Sequence, residues 1–304
     1  MKPLVIYHAD CTDGFGAAFA AWLKLGDDAE YLPMQYGNVP SSLPIDNREV
    51  YILDFSFPRD VMDGVFAAAK RVVWLDHHKM AFEMWLPDEL EYDEWEDTTK
   101  NGLIRFDNNK SGALLAWEYF HPDTEVPMLI RHIDDRDRWI FALDGSKELH
   151  AALQSYRPWS FAQWNDYFFY GDLVTHDCGV SNFIAEGASI LRAQDQHVAS
   201  MAKQTRKCRI PTDLVHSESG DRWMACGFAC NATLHISELG HILATQSGTY
   251  ALIWYVAADN KVKCSLRSNG DYDVSAIAKV FGGGGHRNAA GFETDTDMLM
   301  GWLK

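Results

Sequence analysis

Three short segments of the sequence carry side chains that can bind divalent cations. Each attaches polar residues to the end of an apolar run: "YHADCTDG" with His8, Asp10 and Asp13, "YILDFS" with Asp54, and "RVVWLDHH" with Asp76, His77 and His78. Carboxylates mixed with imidazoles suit Mn²⁺, Mg²⁺ or Co²⁺ in octahedral geometry better than they suit a structural zinc site. One aspartate after an apolar run would mean little, but three such segments together indicate a metal centre.

The elements around these segments predict how the side chains meet. Residues 3–8, 49–56 and 71–76 are short β-rich runs, and helix-length segments such as 58–70 separate them. This alternation is typical of a parallel sheet with crossover helices, in which binding groups gather at the carboxyl ends of the strands. The candidates outnumber the ligands of one ion. Two ions about 3.5–4 Å apart that share a carboxylate would use them and would suit displacement at phosphorus.

The same segments, together with a glycine-rich stretch, resemble a known family. Asp76-His77-His78 is similar to the tripeptide that names the DHH phosphoesterase superfamily, and "HADCTDG" and "ILDFS" resemble its first two motifs. "GGGGHRNAAGF" (282–292), with "SLRS" upstream, resembles the glycine-rich motif of the DHHA1 domain. The branch that carries both domains includes RecJ-like nucleases, oligoribonuclease/pAp phosphatases and cyclic-di-AMP phosphodiesterases.

The resemblance implies a role for each of these side chains. It implies two Mn²⁺ ions per active site, with Mg²⁺ or Co²⁺ as alternatives, and the following ligands: His8 and Asp10 for one ion, Asp13, His77 and a fourth-motif aspartate for the other, and a bridging Asp54. His78 would lie near the substrate phosphate, and Asp76 would orient the histidine ligands from behind. Asp54, His77 and His78 would then be the catalytic groups.

The aspartate of the fourth motif is not fixed by the resemblance alone. The motif falls in "HIDDRDRW" (132–139), where three aspartates lie within four positions. Asp135 is the best match, and Asp134 and Asp137 are competitors.

The first motif departs from the family pattern in its spacing. The family usually places its two acids as Asp-x-Asp, whereas Asp10 and Asp13 are three positions apart. The Asp-Gly pair identifies Asp13 as the family aspartate, and a different turn would be needed to bring Asp10 to the metal. Cys11 lies inside the motif, but only its proximity argues for a reactive thiolate.

The glycine-rich stretch predicts contacts to substrate. Successive glycines allow close backbone approach and positive φ angles, so N–H groups could face an anion. No Gly-Lys-Ser/Thr follows, which excludes a Walker A loop, and composition alone would favour a flexible turn. From the resemblance we expect these substrate-binding residues: Gly283, Gly284, Gly285, His286, Arg267 and His78. Ser111 is a further candidate, although it could equally cap the helix that follows it.

The domain organisation follows from the same patterns. The 304 residues are enough for two domains. We expect an α/β fold: a parallel-sheet DHH domain with flanking helices over 1–179, a helical connector over 180–207, and a smaller α/β DHHA1 domain over 208–304. The connector is predicted because its apolar residues recur at helical spacing. Residues 87–99 hold seven acids and predict a solvated surface loop.

Composition excludes several classes of partner. The net charge of −16 makes a stable complex with long nucleic acid a poor expectation, although bound cations would still admit small phosphorylated substrates. No apolar stretch approaches the roughly 18 residues of a membrane span, and we expect no membrane partner and no signal peptide. Six cysteines without a CxxC pair support neither a disulfide framework nor structural zinc. A reducing cytoplasm is the expected location.

These observations predict metal-assisted hydrolysis of phosphodiester or phosphomonoester bonds in short nucleotides. The substrate could be nanoRNA or another short oligonucleotide, pAp, or a cyclic or linear dinucleotide. Three alternatives remain: a pyrophosphatase or polyphosphatase, a single-strand exonuclease, and a non-catalytic nucleotide sensor. The DHHA1-like stretch argues against the first, and the lack of an obvious basic groove argues against the second. The oligomeric state is open, with a homodimer among the options.

Overall fold

The computed structural model divides the chain into two compact units, Met1–Leu191 and Arg192–Lys304. It describes residues 1–37, 40, 42–86, 94–98, 101–169, 177–211 and 226–303. Within these residues each unit contains one six-stranded sheet and several helices. The predicted α/β fold class is therefore confirmed.

The described strands and helices alternate along the first unit and are more mixed in the second. The strands are β1 Leu4–His8, β2 Glu30–Met34, β3 Glu49–Leu53, β4 Arg71–Asp76, β5 Glu94–Asp97, β6 Gly102–Asp107, β7 Arg206–Cys208, β8 Gly227–Asn231, β9 Tyr250–Val256, β10 Val262–Ser268, β11 Gly284–His286 and β12 Ala289–Thr294. The helices are α1 Thr12–Leu25, α2 Arg59–Ala68, α3 Lys79–Trp85, α4 Gly112–Phe120, α5 Met128–Asp137, α6 Ser146–Ser155, α7 Phe161–Phe168, α8 Asp177–Ala202, α9 Ile236–Ser247, α10 Val274–Val280 and α11 Thr296–Trp302.

The first sheet has the strand order β2-β1-β3-β4-β6-β5, and all its pairings are parallel except that of β5 with β6. Its register aligns the ends of the strands that carry the candidate ligands. Tyr7 pairs with Leu53, and Leu53 pairs with Leu75. The residues that follow these three therefore start side by side at one edge of the sheet, as predicted from the sequence.

Alternation along the strands buries both faces of this sheet, because successive side chains of a strand point to opposite sides. Tyr7 and Leu53 pack on the face covered by α1 and α4, around Phe19 and Trp117. Ile6, Ile52 and Trp74 pack in a second apolar cluster that includes Phe106. Continuous apolar runs suit such doubly covered strands.

The acidic segment differs from its predicted form. Residues 94–97 form β5, which pairs antiparallel with β6 and extends the edge of the sheet, so the prediction of a loop is wrong there. Its side chains alternate between exposed and half-buried, and Trp95 packs on Phe106. That alternation allows an acidic sequence to pair as an edge strand. Residues 87–93 and 99 of the segment lie outside the described residues.

The second unit is built on a sheet of order β11-β12-β10-β9-β8-β7, in which only β8 and β9 pair in parallel. Its core clusters lie around Tyr250, Leu266 and Trp302 and around Leu239 and Ile253. The long helix α8 contributes Val180 and Phe183 to the core of the first unit and Val198 to a core cluster of the second. The proposed domain limits of 1–179 and 208–304 stay a prediction.

Candidate metal centre

Three neighbouring strands deliver the candidate ligands to one edge of the first sheet. His8 is the last residue of β1, Asp54 follows β3 directly, and Asp76 ends β4 with His77 and His78 after it. Asp54 has a φ of 53°, in the left-handed region that aspartate and asparagine tolerate better than most residues. This conformation turns the chain sharply as the strand ends. The side chain stays in the interior, with only 1% of its surface exposed.

The side chains at this edge converge on His77. Its Nε2 atom lies 3.2 Å from Oδ1 of Asp54, 3.5 Å from Oδ2 of Asp13 and 3.5 Å from Oδ2 of Asp137. Three groups each offer donor atoms within 4.8 Å of one another: His8, Cys11 and Asp54; Asp54, His77 and His78; and Asp13, His77 and Asp137. These groups overlap at Asp54 and His77 and together form the candidate metal centre.

The centre contains buried polar atoms that the protein itself does not satisfy. Neither carboxylate oxygen of Asp54 receives a hydrogen bond, and Nδ1 of His8 also has no hydrogen-bond partner. A buried carboxylate without hydrogen bonds or a cation is costly. The residues present therefore fit a divalent cation, which would supply both the missing charge and the missing contacts.

The clustered carboxylates and histidines of the centre shift one another's pKa values. Burial, together with the carboxylates of Asp54 and Asp137, raises the pKa of Asp13 well above its usual value. Burial and the same carboxylates also raise the pKa of the Cys11 thiol. Burial would lower the pKa of His77, but the surrounding aspartates raise it well above its ordinary value. Burial would also raise the pKa of Asp54, but His77, His8 and His78 lower it below its ordinary value, so this carboxylate stays ionised.

The N-terminus of α4 holds Asp13 in place. The N–H of Gly112 donates to Oδ2 of Asp13 at 2.7 Å, and the N–H of Ala113 donates to Oδ1 at 2.8 Å. A Cβ atom at residue 112 would lie 2.4 Å from Cβ of Asp54, so only glycine fits there. Gly112 was not among the residues expected from the sequence. The feature of the sequence that could have identified it is its position, directly after the capping residue of a predicted helix.

Asp76 occupies the position from which it can orient the histidines. It is fully buried, and its Oδ1 accepts hydrogen bonds from the N–H groups of His77 and His78 at 2.7 and 3.1 Å. Nδ1 of His78 lies 2.7 Å from the same oxygen, and Ser56 donates to the other oxygen. These contacts fix the direction of the His78 ring.

The aspartate that joins the cluster from the fourth motif is Asp137, and the expectation for Asp135 needs correction. Asp135 accepts hydrogen bonds from the N–H groups of Ala142 and Leu143 at 2.7 and 3.2 Å, and Ser146 donates to it as well. Its oxygens are therefore committed to the loop that follows α5. Asp134 accepts from the N–H of Ser111 at 2.7 Å. On a helix, neighbouring residues point in different directions, so these aspartates face different surroundings. The sequence alone does not show which of them faces the sheet.

Asp10 also differs from its expected position. Its side chain is 75% exposed, accepts a hydrogen bond from Gln35 at 3.0 Å, and belongs to none of the three ligand groups. The extra residue in the first motif places Asp10 in a left-handed turn with φ of 55°, on the solvent side. Cys11 takes its place beside His8 and Asp54. In the sequence, only its proximity to the motif distinguishes Cys11.

Ser111 is the N-cap residue of α4. The side chain is fully buried, and its Oγ accepts a hydrogen bond from the N–H of Leu114 at 3.4 Å. The N–H of Ser111 in turn donates to Asp134. Ser111 therefore supports the N-terminus of α4 from inside the protein, and its expected role in substrate binding stays a prediction.

The glycine-rich stretch forms part of a β-hairpin in the second unit. β11 pairs antiparallel with β12, and Gly282 and Gly285 have φ angles of 74° and 141°. A Cβ at residue 283 would lie 2.1 Å from the carbonyl oxygen of Gly291. Arg267 donates to Oγ of Ser237 at 3.1 Å and to a main-chain carbonyl, while His286 is exposed. The expected substrate contacts of Gly283, Gly284, Gly285, His286 and Arg267 stay predictions.

Comparison with known proteins supports the resemblance seen in the sequence. Residues 234–301 match the DHHA1 domain, and the first unit carries the Asp-His-His segment at the edge of its sheet. Together with the relatives below, this match supports the DHH/DHHA1 superfamily. Its relatives include the uncharacterized protein R106 of Acanthamoeba polyphaga mimivirus, 28% identical over 95% of this chain and 66% of that protein. Oligoribonuclease NrnB of Bacillus subtilis (strain 168) is 23% identical over 94% of this chain and 71% of the relative. The chain thus spans about two thirds of the length of these relatives.

Solved structures resemble the chain only distantly. The pGpG-specific phosphodiesterase PggH of Vibrio cholerae is 13% identical with a TM-score of 0.46, over 98% of this chain and 94% of that structure. RecJ of Thermus thermophilus in complex with Mg²⁺ is 14% identical with a TM-score of 0.42, over 99% of this chain and 48% of that structure. At these scores the resemblance is too weak to support a function. None of the helices in the described part of the chain has the length and apolar character needed to cross a bilayer.

Proposed function

We propose that the chain is a two-metal phosphoesterase that hydrolyses short nucleotides. The observation that carries this proposal is the position of Asp54 between two groups of ligands. Its Oδ2 lies 3.6 Å from Nδ1 of His8, and its Oδ1 lies 3.2 Å from Nε2 of His77. A buried carboxylate that presents one oxygen to each group is suited to bridge two cations.

The other residues divide between the two ions. His8 and Asp54 would hold one cation, and Asp13, Asp54, His77 and Asp137 would hold the other. Two divalent cations at such a centre lower the pKa of bound water and neutralise charge on a phosphoryl group. His78, with its ring fixed by Asp76, would donate a hydrogen bond to the phosphoryl oxygens and stabilise the charge that develops there.

Short nucleotides are the substrate class that the remaining observations favour. The net charge of −16 disfavours long nucleic acid, whereas a cation centre can attract a small phosphorylated molecule locally. The DHHA1 match over residues 234–301 and the similarity to oligoribonuclease NrnB support the same class. Oxygen and nitrogen ligands suit Mn²⁺, which we propose as the working ion in a cytoplasmic enzyme.

The test compares Asp54→Asn with Asp63→Asn. Asparagine tolerates the left-handed conformation of residue 54 but cannot bridge two cations, so turnover should fall to background while the circular dichroism spectrum is unchanged. Asp63 is 52% exposed on α2 and serves as a matched control that should keep full activity. With Mn²⁺, the assay offers 5′-phosphorylated dinucleotide, pAp, linear and cyclic di-AMP, pyrophosphate and a single-stranded 20-mer.

The products distinguish the proposal from its rivals. Cleavage of the short nucleotides, lost in Asp54→Asn and kept in Asp63→Asn, is the expected result. Release of phosphate from pyrophosphate alone, or degradation of only the 20-mer, would overturn the substrate class. Nucleotide binding with no turnover of any compound would overturn the catalytic function and leave a sensor.

A further inference from the structure

The first ligand group contains a sulfur atom where the family pattern has an oxygen. Counting back from the Asp13-Gly14 pair, the first acid of an Asp-x-Asp pattern would fall on residue 11, and this chain has cysteine there. The structure agrees with that alignment. Sγ of Cys11 lies within 4.8 Å of a ring nitrogen of His8 and a carboxylate oxygen of Asp54, whereas Asp10 points to solvent.

Local structure explains how Cys11 reaches this position. It is the N-cap residue of α1, with extended backbone angles of −114° and 136°. The chain passes directly from the end of β1, through the turn at Asp10, into the helix, so residue 11 returns to the edge of the sheet. Asp13, near the start of the same helix, faces the second ligand group.

Buried atoms without partners argue for a ligand at this point. Asp54 is 1% exposed and neither of its oxygens receives a hydrogen bond, and Nδ1 of His8 has no hydrogen-bond partner. His8, Cys11 and Asp54 each offer one donor atom, and these three atoms lie within 4.8 Å of one another. A thiol beside two unsatisfied polar groups gains little from packing there, because it can neither neutralise Asp54 nor supply the missing contacts.

We propose that Cys11 is a metal ligand, so that the first ion is held by sulfur, nitrogen and oxygen from Cys11, His8 and Asp54. This inference rests on the proposed metal-dependent function. When the metal–sulfur bond forms, the S–H bond breaks and its proton passes to solvent. No electron transfer is involved.

The sulfur would make the two cation positions unequal. Thiolate favours softer ions such as Zn²⁺, while carboxylate suits Mn²⁺ and Mg²⁺. The group of Asp13, His77 and Asp137 offers only oxygen and nitrogen. We therefore expect the first position to prefer Zn²⁺ or Co²⁺ and the second to accept Mn²⁺, a difference that a family member with aspartate at residue 11 would lack.

Titration of the metal-free protein with Co²⁺ tests the inference by a signal other than activity. Thiolate bound to Co²⁺ produces a charge-transfer absorption in the near ultraviolet, which carboxylate and imidazole ligands do not produce. The titration compares the wild type with Cys11→Ser, Cys11→Asp and Cys226→Ser, and calorimetry counts the ions bound. Cys226 is the other free cysteine of intermediate exposure in the described part of the chain, and it serves as the matched control.

The expected result is a band in the wild type and in Cys226→Ser that is absent from both Cys11 variants. Cys11→Asp should still bind two ions, and its preference for Zn²⁺ over Mn²⁺ at the first position should fall by at least about tenfold. Circular dichroism checks that both Cys11 variants are folded. If the serine variant is unfolded, the aspartate variant alone provides the measurement.

Three other results would overturn the inference, and they differ in what they mean for the proposed function. Two Co²⁺ ions bound by the wild type without the band, or a band that persists in Cys11→Asp, would remove Cys11 from the ligands and leave the proposed phosphoesterase function intact. A wild type that binds no divalent cation would overturn both. Loss of turnover in a protein that still shows the band would contradict only the proposed function.

Discussion

The carboxyl edge of the first sheet and the glycine-rich hairpin of the second sheet carry the two sets of candidate residues, and they differ in how their polar atoms are satisfied. At the first edge, Asp54 and His8 have buried atoms without hydrogen-bond partners. In the hairpin unit, Arg287 donates to the carbonyl of Asp271 at 2.7 Å, and Asn288 donates to Ser268 at 2.9 Å. The edge leaves polar atoms that could bind a ligand, whereas these side chains of the hairpin are bonded to neighbouring segments of their own unit.

This difference affects how strongly a sequence motif argues for a chemical function. At the edge, the clustered carboxylates of Asp13, Asp54 and Asp137 repel one another, which disfavours the fold unless a cation is bound. Residues of the hairpin have internal structural duties that would keep them in place without any substrate. A motif in the first region therefore argues for chemistry more strongly than a motif in the second.

Separate substitutions of the two nearby aspartates of α5 should give the largest difference between a residue of the cluster and a residue with a structural role. Asp137→Asn should weaken binding of one cation by more than about 100-fold, beyond the loss expected for a partner outside the ligand shell. Asp135→Asn should leave cation affinity unchanged and lower the free energy of unfolding by about 1–3 kcal/mol, because three donors lose a charged acceptor. Calorimetry with Mn²⁺ and urea unfolding measure the two effects. Loss of cation binding in Asp135→Asn alone would restore the original assignment.

A pair of glycines tests the same contrast through the backbone. Gly112→Ala would push a methyl group into Asp54, and Gly283→Ala would push one into the carbonyl of Gly291. Each change should cost about 1–3 kcal/mol of unfolding free energy. Only Gly112→Ala should also weaken Mn²⁺ binding, by at least about tenfold, because it displaces a ligand. Equal cation affinity in the two variants would show that the edge tolerates a shift of Asp54.

Much of the edge could be predicted from the sequence because strand ends in a parallel sheet are a matter of local pattern. The runs ending at His8, Asp54 and Asp76 are apolar, short and separated by helices, and the register aligns them as expected. The helix after Ser111 is predictable for a similar local reason, because a serine at that position can cap it.

The errors concern residues whose position depends on tertiary contacts. Asp135 and Asp137 differ by two positions on one helix, and only its packing decides which of them faces the sheet. Asp10 and Cys11 are adjacent, and the left-handed conformation of Asp10, which the sequence does not reveal, decides which of the two side chains faces the edge. The acidic strand β5 exists because β6 offers it an edge, which its composition does not show.

Asp76 and Ser56 allow a finer measurement of the edge. Asp76→Asn should reduce turnover by about tenfold to hundredfold, because the ring of His78 and two N–H groups lose a charged acceptor. Ser56→Ala removes one donor to Asp76 and should reduce turnover less than Asp76→Asn does. Steady-state kinetics with the best short nucleotide provide the comparison. A larger effect from Ser56→Ala would mean that the hydroxyl acts on its own.

The smallest expected effect concerns His150, a histidine of the same unit whose pKa shifts in the opposite direction to that of His77. The aspartates around His77 raise its pKa. Burial, together with Arg136 and Arg157, lowers the pKa of His150 to about 3. His150 lies beside Thr12, with its Nδ1 3.1 Å from the hydroxyl oxygen. Burial and the two arginines thus favour the neutral form of His150.

This lowered pKa makes stability depend on pH in a definite direction. Below about pH 6.5 the unfolded chain protonates residue 150 while the native protein does not, so acid favours unfolding until about pH 3. Between about pH 7.5 and 5.5 the wild type should lose about 1.4 kcal/mol more unfolding free energy than His150→Gln, measured by urea unfolding of metal-free protein. Parallel pH profiles for the two proteins would mean that His150 titrates in the native protein as it does in the unfolded chain, and hence that burial does not keep it neutral.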